Sequence, residues 1–172
     1  MKQQEDTLNP DSAAPMRLEK ARCLILACGN TLRSDDGLGP HLAAWAEERF
    51  RDEPCVTIIS RQQWTPELAA DVAAADAVLF VDCSIETKPG SVHLLPVLPR
   101  SSSPATATHH LDAPGLLALA HALYGARPAH AMLLAVGAGS IELGETLSDP
   151  VASALPRARG VLEKAVRRFL GN

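Results

Sequence analysis

The strongest constraint on this fold is an alternation. Short apolar runs occur at "RCLILACG" (22–29), "CVTIIS" (55–60), "AVLFVDC" (77–83), "SVHLLPV" (91–97) and "AMLLAVGAG" (131–139). Most are separated by segments with helical spacing, such as Leu38, Leu42, Trp45 and Phe50. Continuous apolar strands alternating with helices predict an α/β protein whose mostly parallel sheet is covered on both faces. "SIETKPG" is too short for a helical crossover, so "SVHLLPV" is expected to lie antiparallel to the strand before it.

The helix boundaries can be read from local chemistry. "TPELAADVAAA" opens with Thr65 as N-cap, Pro66 as first helical residue and Glu67 in the first turn. In "HLDAPGLLALAHALYG", Asp112 is the N-cap, Leu111 staples onto Leu116 and Gly125 ends the helix. The last helix begins at "SDPV" and keeps Val151, Leu155, Leu162, Val166 and Phe169 on one side. Pro156 and Gly160 are expected to bend or interrupt it.

The 172 residues suit one domain, and 47% apolar residues suffice for a core without staples. No repeat or second domain is visible, so residues 21–172 are read as a single domain behind a polar, flexible leader at 1–20. A net charge of -4 argues against a general nucleic-acid binder. No apolar run approaches the roughly 18 residues of a membrane span. The four cysteines have no metal-like spacing, which points to a reduced, cytoplasmic protein.

The polar residues gather where such a sheet binds ligands, beyond the carboxyl ends of its strands at the switch in strand order. Asp35 and Asp36 follow the first strand, and Asp82 ends the third. His109 and His110 precede the helix that starts at Asp112. Two carboxylates and an imidazole fit a divalent transition metal such as nickel, zinc or iron. Each residue also has a plainer reading. One of Asp35 and Asp36 can N-cap the next helix, Asp82 can cap a turn or pair with Arg33, and a histidine before a helix can be solvated. Cys83 has no activating base near it in sequence, so burial is its simplest role. Trp45 reads as core, and Trp64 as core or as a partner-facing anchor. No phosphate-binding glycine motif, HExxH or serine triad is present.

"GNTLRSDDGLGP" resembles the GNxLxxD[DE]GxG signature of the hydrogenase maturation proteases, endopeptidases that trim the large subunit of nickel-iron hydrogenases. "ADAVLFVDCS", "THHLDAPGLLALAHALYG" and "IELGETLSDPV" resemble three further motifs of that family, in order, so the match runs from about Cys23 to Leu170. The resemblance implies a three-layer α/β/α sandwich (phosphorylase/hydrolase-like) with about five strands. It also implies an endopeptidase that removes the C-terminal extension of a nickel-loaded large-subunit precursor. Asp36, Asp82 and His109 would contact the nickel, which is carried by the substrate rather than held permanently. Asp36 or Asp35 would act as base toward a water. One departure is Ser60-Arg61-Gln62-Gln63, where many relatives carry Asp-Gly-Gly-Thr. It leaves a non-catalytic, nickel-inspecting assembly chaperone as an alternative. A receiver-like phosphoacceptor module is a further one, although "AMLLAVGAGS" lacks the lysine it needs.

Overall fold

The computed structural model describes residues 21–99 and 111–171. The leader at 1–20 and the histidines His109 and His110 lie outside the described residues. The described chain forms β1 (Cys23–Cys28), α1 (Leu38–Arg49), β2 (Val56–Arg61), α2 (Ala69–Ala74), β3 (Ala77–Ser84), β4 (Val92–Pro96), α3 (Ala113–Tyr124), β5 (His130–Gly137) and α4 (Asp149–Phe169). Short 3-10 turns at Ser34–Gly37 and Pro66–Leu68 lead into α1 and α2.

The five strands run in the order β2-β1-β3-β5-β4, with all pairs parallel except β4–β5. Successive side chains of a strand point to opposite faces, and β1 feeds both faces in this way. Cys23, Ile25 and Ala27 join the core beneath α1 and α4, while Leu24 and Leu26 join the core beneath α2 and α3. In β3, Leu79 and Val81 face the first core and Val78 and Phe80 the second. The result is the expected three-layer α/β/α sandwich. Among the described residues, no helix is long and apolar enough to cross a membrane.

Two sequence expectations need correction. β4 is not the neighbour of β3, because β5 lies between them and pairs with both. The short connector does turn the chain back, but it spans the width of a strand laid down later. Its Gly90 N–H donates to the Gly137 carbonyl at 2.8 Å, which ties the connector to the end of β5. Second, α4 runs unbroken from Asp149 to Phe169 with Pro156 inside it. Proline removes one intrahelical hydrogen bond, whereas Val151, Ala154, Ala158, Leu162 and Val166 bury one stripe on both sides of it. That shared apolar face keeps the helix together.

The capping expectations for α3 hold. Asp112 accepts from the Gly115 N–H at 2.9 Å, and Gly125 ends the helix in the left-handed region at φ 65°. Trp64 is buried, edge-to-face on Phe80 with ring centroids 5.2 Å apart, which places it in the core. Trp45 is half-buried against Phe50 and lies under the Arg159 guanidinium.

Candidate functional site

The order of strands reverses between β1 and β3, since β2 lies on one side of β1 and β3 on the other. Beyond the carboxyl ends of these two strands a cleft of about 590 Å³ opens. Its walls include Asp36, Asp82 and Cys83, with Arg33, Gln62 and Trp64 beside them.

The glycines of "GNTLRSDDGLG" explain how Asp36 reaches this rim. Gly29 follows β1 at φ +143°, and a Cβ there would sit 1.8 Å from the Asp36 carbonyl oxygen. A Cβ on Gly39 would sit 1.9 Å from the Cys28 carbonyl oxygen. Without side chains at these two positions, the acidic turn and the start of α1 press directly on the tip of β1. Asn30 shapes the turn: its side-chain oxygen accepts from the Leu32 N–H at 2.9 Å and its carbonyl from the Arg33 N–H at 3.0 Å. Its own N–H donates to Asp36 Oδ2 at 2.9 Å, which fixes the carboxylate over the cleft.

Asp35 and Asp36 are neighbours with opposite fates. Asp35 is completely buried. Its Oδ2 accepts from the N–H groups of Gly139 and Ser140 at 2.7 and 2.8 Å and from the Ser148 hydroxyl at 2.8 Å. Its Oδ1 accepts from the Ser148 N–H at 2.7 Å. Burial by itself pushes this carboxyl up, but the hydrogen bonds from Ser148, Ser140 and Gly139 together outweigh it and hold Asp35 below the usual carboxylate range. The group is a locked anion that clamps the loop after β5 onto the loop after β1. That geometry suits a holding role better than the role of base that the sequence offered it. Neither acid caps α1, whose N-cap is Gly37 with no side-chain hydrogen bond.

Asp36 and Asp82 come together as expected from the sequence. One carboxylate oxygen of each, with Cys83 Sγ, lie within 4.8 Å of one another. Cys83 Sγ is 3.5 Å from Asp36 Oδ1, and Asp82 Oδ1 accepts from the Cys83 N–H at 2.8 Å. Burial pushes the Asp82 carboxyl up to about 7; the Cys83 N–H pulls it down and the nearby Asp36 charge pushes it further up. Among the described residues, no lysine or arginine forms an ion pair with either acid. Arg33 shares the cleft, but its Nε donates to the Ile141 carbonyl at 3.3 Å. Two acids at a protein surface without a cationic partner form a site suited to a divalent cation.

Cys83 was missed as a member of this group, because neighbours in a strand ordinarily face apart. Burial first, then the charges of Asp82 and Asp36, push its thiol up to about 12, so it is no ready nucleophile at neutral pH. His109 and His110 remain expectations from the sequence. Leu111 and Asp112, which follow them directly, line the cleft. Gln62 and Gln63 of the departing segment line it too.

In fold and motifs the chain is similar to the hydrogenase maturation proteases, a class of peptide-bond hydrolases. No family model and no curated protein sequence matches the chain, but solved structures of that class do. The [NiFe] hydrogenase maturation protease HycI from Thermococcus kodakarensis is 26% identical with a TM-score of 0.61, the match covering 90% of this chain and 96% of that one. The hydrogenase 2 maturation peptidase from a Thaumarchaeota archaeon is 26% identical with a TM-score of 0.62, covering 84% and 97%. The hydrogenase-maturating endopeptidase HybD from E. coli shares the fold with a TM-score of 0.67 at 23% identity, covering 86% and 93%. The resemblance carried by the four sequence motifs therefore extends to three dimensions.

Proposed function

We propose that this chain is an endopeptidase that removes the C-terminal extension of a nickel-iron hydrogenase large-subunit precursor. In this reading Asp36, Asp82 and His109 touch the nickel that the precursor carries. The observation that supports it most is the uncompensated acid pair. Asp36, on the turn after β1, and Asp82, near the end of β3, lie 46 positions apart in sequence and meet at the switch point, with no cationic side chain paired to them among the described residues. A cation brought by the client would fill that gap.

The physical basis is selection by differential affinity. A precursor without nickel leaves two carboxylates unbalanced and is held poorly. A loaded precursor supplies the charge, docks, and presents its tail to the cleft. Cleavage then proceeds by attack of a water on the scissile carbonyl, with the Asp36 carboxylate as the base that takes its proton. Asp35, engaged in four hydrogen bonds, acts instead by holding the turn that carries Asp36.

Incubation of the purified chain with nickel-loaded and nickel-free precursor, followed by mass spectrometry, tests the proposal. Loss of the C-terminal extension from the loaded precursor alone is expected. Asp36→Asn and Asp82→Asn should remain folded and process at least about a hundredfold more slowly. Stable co-purification with an uncut loaded precursor would replace the protease reading with the assembly-chaperone one.

A further inference from the structure

We infer that Cys83 supplies a further protein ligand, a thiolate, to the cation gripped by Asp36 and Asp82. The inference rests on the cation-inspecting reading above and adds to it a sulfur donor that favours borderline and soft ions.

Asp82 and Cys83 are consecutive on β3, and in a regular strand their side chains would diverge across the sheet. Here β3 has run past its pairing with β1, and the turn held by Asn30 and Gly29 lays Asp36 over the exposed edge. Asp36 thereby comes 3.5 Å from Cys83 Sγ and within 4.8 Å of the Asp82 carboxylate at once. Two donors on a single ion stand at most about 4.4 Å apart, the sum of ordinary metal–oxygen and metal–sulfur bonds. The 3.5 Å between Asp36 and Cys83 is inside that range, and the 4.8 Å bound on the whole group lies just beyond it. The other thiol lining the cleft, Cys28, donates to the Gln62 carbonyl at 3.5 Å and is not part of the close group. It is therefore an internal control.

Coordination is balanced by proton release: as the sulfur–metal bond forms, the thiol proton passes to water. An O, O, S donor set discriminates by chemistry. Carboxylates alone accept magnesium or calcium, whereas a thiolate moves the preference toward nickel, zinc and cobalt. The cysteine thus sharpens which ion satisfies the cleft.

The test is titration of the reduced full-length chain with cobalt(II) alone, read by its near-ultraviolet thiolate-to-cobalt charge-transfer band. The expected result is a band that saturates at one cobalt per chain and resists excess magnesium. It should vanish in Cys83→Ser and Cys83→Ala, with cobalt affinity lowered at least about tenfold, and persist in Cys28→Ser. Circular dichroism confirms that each variant is folded. Cobalt binding that is lost in Asp36→Asn but unchanged in both Cys83 variants would overturn the thiolate ligand and leave the acid pair standing. A band that follows Cys28 would overturn it equally. A wild-type chain that binds no cobalt would overturn this inference, whereas the cation reading beneath it falls only if nickel-loaded and nickel-free precursors are processed alike.

Discussion

Ser148 grips Asp35 twice, donating its backbone N–H to Oδ1 at 2.7 Å and its hydroxyl to Oδ2 at 2.8 Å across 113 positions of sequence. With the Gly139 and Ser140 N–H groups also on Oδ2, one buried carboxylate joins the loop after β1 to the start of α4.

Removing that carboxylate strands several buried donors at once. Asp35→Ala should therefore destabilise the protein by about 3–5 kcal/mol in denaturant titration, well above an ordinary surface change. The pH dependence has a defined sign. The folded Asp35 carboxyl lies below its unfolded value of about 3.9, so its contribution is fully present above that value. It is lost as pH falls through the depressed folded value. Wild type should lose this contribution below about pH 4, and Asp35→Asn should lack that part of the acid transition.

Asp82 has the opposite sign. Its folded carboxyl is raised from 3.8 to about 7, so between these values the folded chain keeps a proton that the unfolded chain has released. Stability of the cation-free protein should decline as pH rises from about 4 to about 7 and then level off. Asp82→Asn should abolish this decline, and its midpoint relative to wild type should be most favourable above pH 7. Urea midpoints measured across this range provide the check.

Gly29→Ala tests how the rim is built. A methyl at that position meets the Asp36 carbonyl oxygen at 1.8 Å, on a backbone at φ +143°. Strain and steric conflict together should cost at least about 2–3 kcal/mol. Because the conflict is with Asp36 itself, processing of loaded precursor should fall further than the stability loss explains.

The strands and the capping of α3 were legible in sequence because they follow from nearby residues: a run of apolar side chains, or Asp112 three positions before Gly115. The partner of β4 was not, because it depended on β5, a strand still to come. Continuity of α4 through Pro156 was hidden for a related reason, since the buried stripe that opposes the break is defined by packing against the sheet. In the site, topology alone brought Asp82 and the pair Asp35 and Asp36 to the switch point, while the choice of Asp36 within the pair came from the resemblance. The distinct part played by Asp35 could not, because its donors lie more than a hundred positions away. Cys83 was obscured by the two-residue period of a strand, which separates it from Asp82; it is Asp36, arriving from a distant turn, that draws the three together.

The insertion of β5 between β3 and β4 also sets an order of events during synthesis. The strand that ends in Asp82 acquires its second neighbour only once residues 130–137 have left the ribosome, and Ser148 follows later still. A nascent chain truncated before that point holds both acids but lacks the Asp35 clamp and the β5 neighbour of the strand that carries Asp82. Translation thus delays the birth of a competent cleft until all but the last helix has emerged.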